Sequence, residues 1–340
     1  MAKQSKKSSR SKPKTRPQAA KKAVQRALKR KPAQSKAPKA RGKVAPMKKA
    51  VKHAAPKRKA APKKKAVVKS VPKPAAQPKS ALAASSIAAP TRHIPIAVQL
   101  YSVRDDCKKD LPGVLKGVAT MGYAGIEFAG YYDRSASALR SILDDLGLKC
   151  AGTHTGLESL LGDNFQRTVE FNQTLGNKFL IVPGVSKERS ATKASWLDTA
   201  RLLNEVAEKL KPLGLYTGYH NHQMEFTPLE GALPWDILFA NTCKEVVMQV
   251  DTGNALQGGA NVVPFVSKYP GRALTVHLKE YNAENNTALF GEGHVDWGSA
   301  FQLCETVGAT EWYIVEQEGF AYPPMECVAR CLQKLREWGR

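Results

Sequence analysis

The stretch Leu215-Tyr216-Thr217-Gly218-Tyr219-His220-Asn221-His222-Gln223-Met224-Glu225-Phe226 carries the densest chemistry in the chain. Two of the seven histidines stand two apart here, and a carboxylate follows three residues later. Its first half, preceded by Gly214 and rich in β-formers, reads as a short buried strand. Side chains alternate along a strand, so His220 and His222 are expected on one side of it. Titratable groups at a buried strand end cost free energy unless they are paired or ligate something. Two hydrogen-bonded histidines would meet that condition by themselves. What decides the reading is that three later strands end in the same way.

Working outward, short apolar runs alternate with helix-length amphipathic segments from Ile94 onward. That alternation is the mark of a parallel α/β sheet. Strands are expected over 96–102, 125–130, 149–155, 179–184, 216–222, 246–253, 274–280 and 313–318. Helices are expected between them, among others at 111–121, 137–146, 195–213 and 299–307, with a closing one at 325–338. Eight β/α units over residues 93–340 predict a single (β/α)8 TIM barrel. A doubly wound sheet is the alternative, but no glycine-rich phosphate turn follows the first strand.

In such a barrel the C-terminal strand ends gather at one face. Strand two brings Glu127 there, strand three His154, and strand five His220, His222 and, just beyond, Glu225. Strand six brings Asp251 and Asn254, strand seven His277 and Lys279, and strand eight Glu316 and Glu318. Glu127 or His154 alone would be a hydrogen-bonded rim residue. Acids at consecutive strand ends repel one another unless a cation sits among them. Glu225, Asp251, His277 and Glu316 would offer three oxygens and one nitrogen, a set suited to Mn²⁺, with Mg²⁺, Co²⁺ or Zn²⁺ as alternatives. Such a cation would polarise a carbonyl, and His222, His220 or a metal-bound glutamate such as Glu316 would move the adjacent proton. Glu127, His154, Asn254 and Lys279 are then candidate substrate contacts. Lys279 could equally form a salt bridge to Glu280 or Glu318.

The segments Tyr219-His220-Asn221-His222, Val250-Asp251-Thr252-Gly253-Asn254, Val276-His277-Leu278-Lys279-Glu280, Gly291-Glu292-Gly293-His294-Val295-Asp296-Trp297 and Val315-Glu316-Gln317-Glu318 come in this order. With Gln99-Leu100-Tyr101-Ser102-Val103-Arg104 near the start of this region, the chain resembles the sugar phosphate isomerase/epimerase family. These are xylose-isomerase-like TIM barrels that include inosose dehydratases and ketose 3-epimerases. The resemblance implies metal ligands at the ends of strands five to eight, hence Asp251, His277 and Glu316. Many relatives carry Glu where this chain has His220, so either His220 substitutes or Glu225 reaches in, and Glu225 is the preferred expectation. The implied activity is isomerisation or epimerisation of a sugar or sugar phosphate through an enediolate. A lyase, either an inosose-type dehydratase or a 3-keto-glycoside lyase, is the runner-up. The loop at 291–297 has two glycines that let backbone approach a ligand, and Trp297 is expected to cap the barrel.

Composition divides the chain. Residues 1–92 hold 30 of the 53 Lys and Arg and no acid; the first acid is Asp105. The rest carries 23 basic against 29 acidic residues, a net −6. Lys/Ala/Pro repeats without aromatics predict a disordered basic tail. A polycation of that density would bind nucleic acid nonspecifically and salt-sensitively, with a solvated linker as the plainer reading. The six cysteines show no metal-binding spacing and are expected to be buried and reduced, as in a cytoplasmic protein, one that the tail could associate with the nucleoid. No apolar run reaches membrane-spanning length, and an oligomer stays open. The tail invites comparison with the abasic-site endonucleases of the same fold. Their three-zinc cluster needs more His and Asp ligands, and Asn254 stands where a further His would be wanted. A nucleic-acid-binding scaffold with an inactive barrel is the last alternative.

Overall fold

The computed structural model describes residues 92–340. The basic segment expected to be a disordered tail lies, but for Arg92, outside the described residues. Eight parallel strands close in sequence order: β1 (Ile96–Gln99), β2 (Gly125–Phe128), β3 (Lys149–His154), β4 (Phe179–Val182), β5 (Tyr216–His220), β6 (Val247–Asp251), β7 (Thr275–Leu278) and β8 (Trp312–Val315). Closure runs through β1 and β8, where Ile96, Ala97 and Val98 lie opposite Tyr313, Ile314 and Val315. The fold is the expected (β/α)8 barrel.

The outer helices are α1 (Arg104–Met121), α2 (Ala136–Leu146), α3 (Asn164–Leu175), α4 (Lys193–Leu210), α5 (Pro234–Ala240), α6 (Thr252–Gln257), α7 (Val263–Lys268), α8 (Trp297–Thr306) and α9 (Pro324–Glu337). Local chemistry sets their ends. Asp110 leaves the helical region in the middle of α1 (φ −152°, ψ 80°), two residues before Pro112. A proline inside a helix has no N–H for the ladder and its ring clashes with the carbonyl four residues earlier, so the first segment breaks ahead of Pro112. The Asp110 carboxylate then accepts the Gly113 N–H at 3.0 Å and caps the second segment, which begins where the sequence places the helix. Thr192 and Ser195 form a reciprocal capping box on α4,.

Two apolar layers occupy the barrel. Phe179, Ile181 and Val247 pack with Tyr216, Leu274 and Trp312, while Ala97, Ala151 and Ile314 form a second group. Space is tight: a Cβ on Gly218 would collide with the Val247 carbonyl and the Ile181 side chain. The opposite strand faces, including Val98, Phe128, Tyr219 and Val250, pack on the helices, among them Trp196 and Leu203 of α4, in one continuous core. With the interior filled by side chains, chemistry is confined to the C-terminal strand ends. All six thiols are free. Cys243 departs from the expected burial: it is exposed, in the turn between α5 and β6. Among the described residues no helix is long and apolar enough to cross a membrane.

Candidate active site

Inward alternation along the strands places Gln99 on β1, Glu127 on β2, His154 on β3, His220 on β5, Gln249 and Asp251 on β6, and His277 on β7; Glu316 directly follows β8. Their polar ends converge. His220, Asp251, His277 and Glu316 each offer one ligand atom, all four within 4.8 Å of one another and all buried. His277 Nδ1 lies 2.9 Å from Glu316 Oε2 and 3.9 Å from Asp251 Oδ2. His220 Nδ1 and Asp251 Oδ2 are buried with no hydrogen-bond partner. Burial without a partner costs about 1–3 kcal/mol per neutral polar group and more for a charge, and a cation among these residues would satisfy both atoms.

Glu225, the expected strand-five ligand, does not join this group. β5 ends at His220, and residues Met224–Phe226 turn as a 3-10 helix. Glu225 is buried behind the strand, where Oε1 accepts the Tyr219 hydroxyl at 2.8 Å and Oε2 the His222 N–H at 2.7 Å. Tyr219 faces the helices, edge-on to Trp196, so Glu225 is tied to the outer layer. His220 takes the inward position.

Beneath the group lies Glu127, fully buried rather than facing the mouth as a substrate contact would. Its Oε2 accepts from Gln99 Nε2 at 2.8 Å and from His277 Nε2 at 2.5 Å, and His154 Nε2 is 3.3 Å away. Its Oε1 accepts from Gln249 Nε2 at 2.9 Å. Gly152 makes room for it, since a Cβ there would overlap Glu127 Oε1. Gln249 also reaches His154 Nε2 at 2.9 Å. The sequence reading missed Gln249 and this role of Gln99. The signal was present as period-two spacing, because Gln249 precedes Asp251 by two.

The remaining candidates surround the mouth. The His222 ring, half-buried, packs edge-on to His220 at 5.2 Å. The Lys279 ammonium pairs with Glu318, not Glu280, and donates to Asn254 Oδ1 at 3.0 Å. Asn254 Nδ2 in turn donates to the Asn221 carbonyl at 3.2 Å, so its amide ties loops together. Trp297 packs against Phe290, Phe301 and Trp338 and donates to Glu280 at 2.9 Å.

The group's charges are unevenly settled. Burial, opposed by Lys279 and reinforced by Glu316, raises the Asp251 carboxyl to about 7. Burial would lower His277, but the carboxylates of Glu127 and Glu316 outweigh it and raise the imidazole to about 10. Burial, with His277 and His154 alongside, holds His220 well below the usual imidazole range. Burial of Glu316 is outweighed by Lys279 and His277, which hold its carboxyl well below the usual carboxylate range. A divalent cation bound here would displace the proton carried by His277 and, near neutral pH, the one on Asp251,.

Residues 115–338 match the family described as the xylose isomerase-like TIM barrel. The chain is 24% identical over 233 residues to the rhizopine catabolism protein MocC of Rhizobium meliloti, covering 58% of this chain and 71% of that one. It is 25% identical over 258 residues to an inosose dehydratase of Geobacillus kaustophilus, covering 62% and 83%. A solved structure of a sugar phosphate isomerase/epimerase from Parabacteroides distasonis superposes with a TM-score of 0.62 at 21% identity, covering 74% and 97%. By its matched length, its closed barrel and the strand-end residues it gathers, the chain belongs to the xylose isomerase-like TIM barrel family.

Proposed function

We propose that the chain is a divalent-metal-dependent isomerase or epimerase that moves a proton at the carbon beside a substrate carbonyl. The observation that carries this is the convergence of His220, Asp251, His277 and Glu316 with two buried, unpartnered ligand atoms. With His220 in place of Glu225 the set has two nitrogens and two oxygens, which suits Mn²⁺, Co²⁺ or Zn²⁺ better than Mg²⁺. Bound there, such a cation would polarise the carbonyl and acidify the neighbouring C–H.

The chain's own side chains supply the rest. His222, beside the group at the mouth, is the imidazole placed to take and return the proton. Lys279, held by Glu318 and Asn254, offers an ammonium to a developing oxyanion. Glu127 positions His277 by accepting from Nε2, which leaves Nδ1 turned toward Asp251 and Glu316. A carboxylate behind a ligating histidine sets its tautomer and basicity. Glu127→Gln keeps an acceptor but removes the charge, and metal affinity is expected to fall roughly 10-fold, as read by competition with a fluorescent chelator.

A dehydratase is the second reading. It is favoured by the inosose dehydratase relatives and by His154, only partly buried and backed by Glu127 at 3.3 Å, as a candidate donor to a departing hydroxyl. One experiment separates the two. Metal-loaded protein in D2O is given ketoses and cyclic keto-polyols, and products are followed by NMR. Deuterium incorporated with every C–O bond retained supports the isomerase; loss of water supports the lyase. Bound metal with neither exchange nor elimination on any of them would overturn both.

The basic segment is proposed to hold nucleic acid without sequence preference. Removing residues 1–90 is expected to leave exchange rates unchanged and to abolish DNA retention at low salt. A fall in turnover on deletion would show that the segment belongs to the catalytic unit.

A further inference from the structure

At the N-terminal strand ends, opposite the metal group, Phe179 packs with Tyr216, Leu274 and Trp312. Against that apolar plug the loops entering β5, β6, β7 and β8 leave a cleft of about 390 Å³, within the size range of small-ligand sites. Its floor is apolar, made by Leu215, Tyr216 and Leu274 with Pro270 beside them. Gly214 and Gly271 turn two of the loops at φ +69° and +76°, and a Cβ on either would meet nothing within 4 Å. The space beside both turns is therefore unfilled. The rim is charged, and its charges are sorted. Lys178 holds both oxygens of Glu311, at 2.8 and 2.7 Å, with its ammonium 5.1 Å from the centre of the Tyr216 ring. Lys211 holds Glu245 at 2.8 Å, and beyond that pair opens a second cleft lined by Asn204, Glu208 and Cys243. Lys244 lines the first cleft and is exposed. Among the described residues nothing pairs with its ammonium. Each acid of the cleft is thus matched, and one cation is left over. An exposed lysine alone is ordinary; this one shares an open cleft with an apolar floor.

We propose that this cleft binds a small organic monocarboxylate with a flat apolar body, its charge met by Lys244 and its body laid on Tyr216 and Leu274. Apolar area leaving water drives the binding, and the surplus cation sets the sign of the ligand. A cationic ligand would have to break one of the two ion pairs, and a dianion would leave a charge unmatched. This end of a barrel serves stability rather than chemistry, so the ligand is held and not transformed. From the cleft, β5, β7 and β8 lead toward His220, His277 and Glu316. The ligand thus rests on the strands that bring in three of the four proposed metal ligands. The proposal stands independently of the enolisation reading.

The probe is 2-naphthoate, added to the metal-loaded full chain in about 0.15 M salt, where the Debye length is about 8 Å and loose association with the basic segment is screened. Binding is measured by equilibrium dialysis beside the neutral 2-naphthalenemethanol. Naphthoate is expected to saturate with a Kd on the order of 1 mM or tighter, and the alcohol to bind about fivefold more weakly. Lys244→Ala is expected to weaken naphthoate by about fivefold and Lys244→Glu by more than about tenfold, while Lys244→Arg keeps the wild-type affinity. All three substitutions fall on an exposed side chain, and an unchanged melting midpoint shows that the barrel is intact. The metal group and the basic segment are the same in every variant, so a loss at residue 244 reports the cleft alone. No saturable binding by the wild type overturns the proposal. Binding that ignores residue 244 does so too, since it places the probe on the metal or the basic segment. Equal affinity for the alcohol removes the carboxylate from the ligand class. Self-association of the wild type that Lys244→Glu abolishes, followed by sedimentation, would give the cleft to a second copy of the chain instead.

Discussion

His220→Ala is expected to strip the protein of its metal, while Glu225→Gln is expected to leave it bound. Removing His220 deletes one of the four proposed ligands and widens a group whose atoms lie within 4.8 Å of one another. Affinity should fall by at least on the order of 100-fold, beyond the range seen when only a supporting partner is lost. Isotope exchange at the substrate carbon should disappear with it. Glu225→Gln changes only the outer layer. The amide oxygen can still accept from the Tyr219 hydroxyl or the His222 N–H, so the cost should be limited to stability, about 1–2 kcal/mol. Metal content per chain, measured by mass spectrometry on both variants beside wild type, checks the pair. If Glu225→Gln loses the metal and His220→Ala keeps it, the ligand assignment is wrong and the strand-five loop must rearrange on binding.

Gly152→Ala is the second large effect. A single methyl at position 152 would occupy the space of Glu127 Oε1, with the rest of that carboxyl and its Cγ also close. Glu127 cannot step aside freely, because Gln99, Gln249 and His277 all hold it. Either the strands part or the carboxylate leaves its partners, and His277 then keeps a charge without its lower support. Breaking a buried ion pair costs about 3–5 kcal/mol, which for a domain of this size lowers the melting midpoint by on the order of 10 °C. The same change should weaken metal binding even at temperatures where the barrel is folded. A Gly152→Ala protein with wild-type midpoint and wild-type metal affinity would show that Glu127 does not position His277.

These two sites mark what the sequence does and does not disclose. The barrel is legible because strand and helix periods alternate eight times, and because acids and imidazoles recur at strand ends. That recurrence brings Asp251, His277 and Glu316 into view, and the family resemblance singles them out as candidate ligands. The choice between His220 and Glu225 is not legible, since it depends on where β5 stops. Asn221 decides this by leaving the strand to clamp the backbone of β6: its Oδ1 accepts the Asp251 N–H at 2.8 Å, and its Nδ2 donates to the Asp251 carbonyl at 3.2 Å. The turn that follows swings Glu225 back to Tyr219. Glu127 was placed on the correct strand but at the wrong depth. Depth depends on the irregular pairing of β2 with β3, where the register shifts between Ile126 and Glu127. Glu280 is expected from sequence only as an alternative partner of Lys279; its partners are instead three backbone amides and the Trp297 indole.

The thiols offer a practical route to all of these measurements. Burial raises Cys107 to about 11 and Cys304 and Cys331 to about 12, so these sulfurs stay protonated and sheltered near neutral pH. Cys243 alone is exposed among the described residues, and residues 1–91 contain no cysteine. It precedes β6, whereas the convergent ligands lie at the far ends of the strands. A maleimide dye or a biotin tether should therefore attach at one defined place, opposite the mouth. The barrel could then be immobilised or followed by fluorescence anisotropy from the face opposite its C-terminal strand ends.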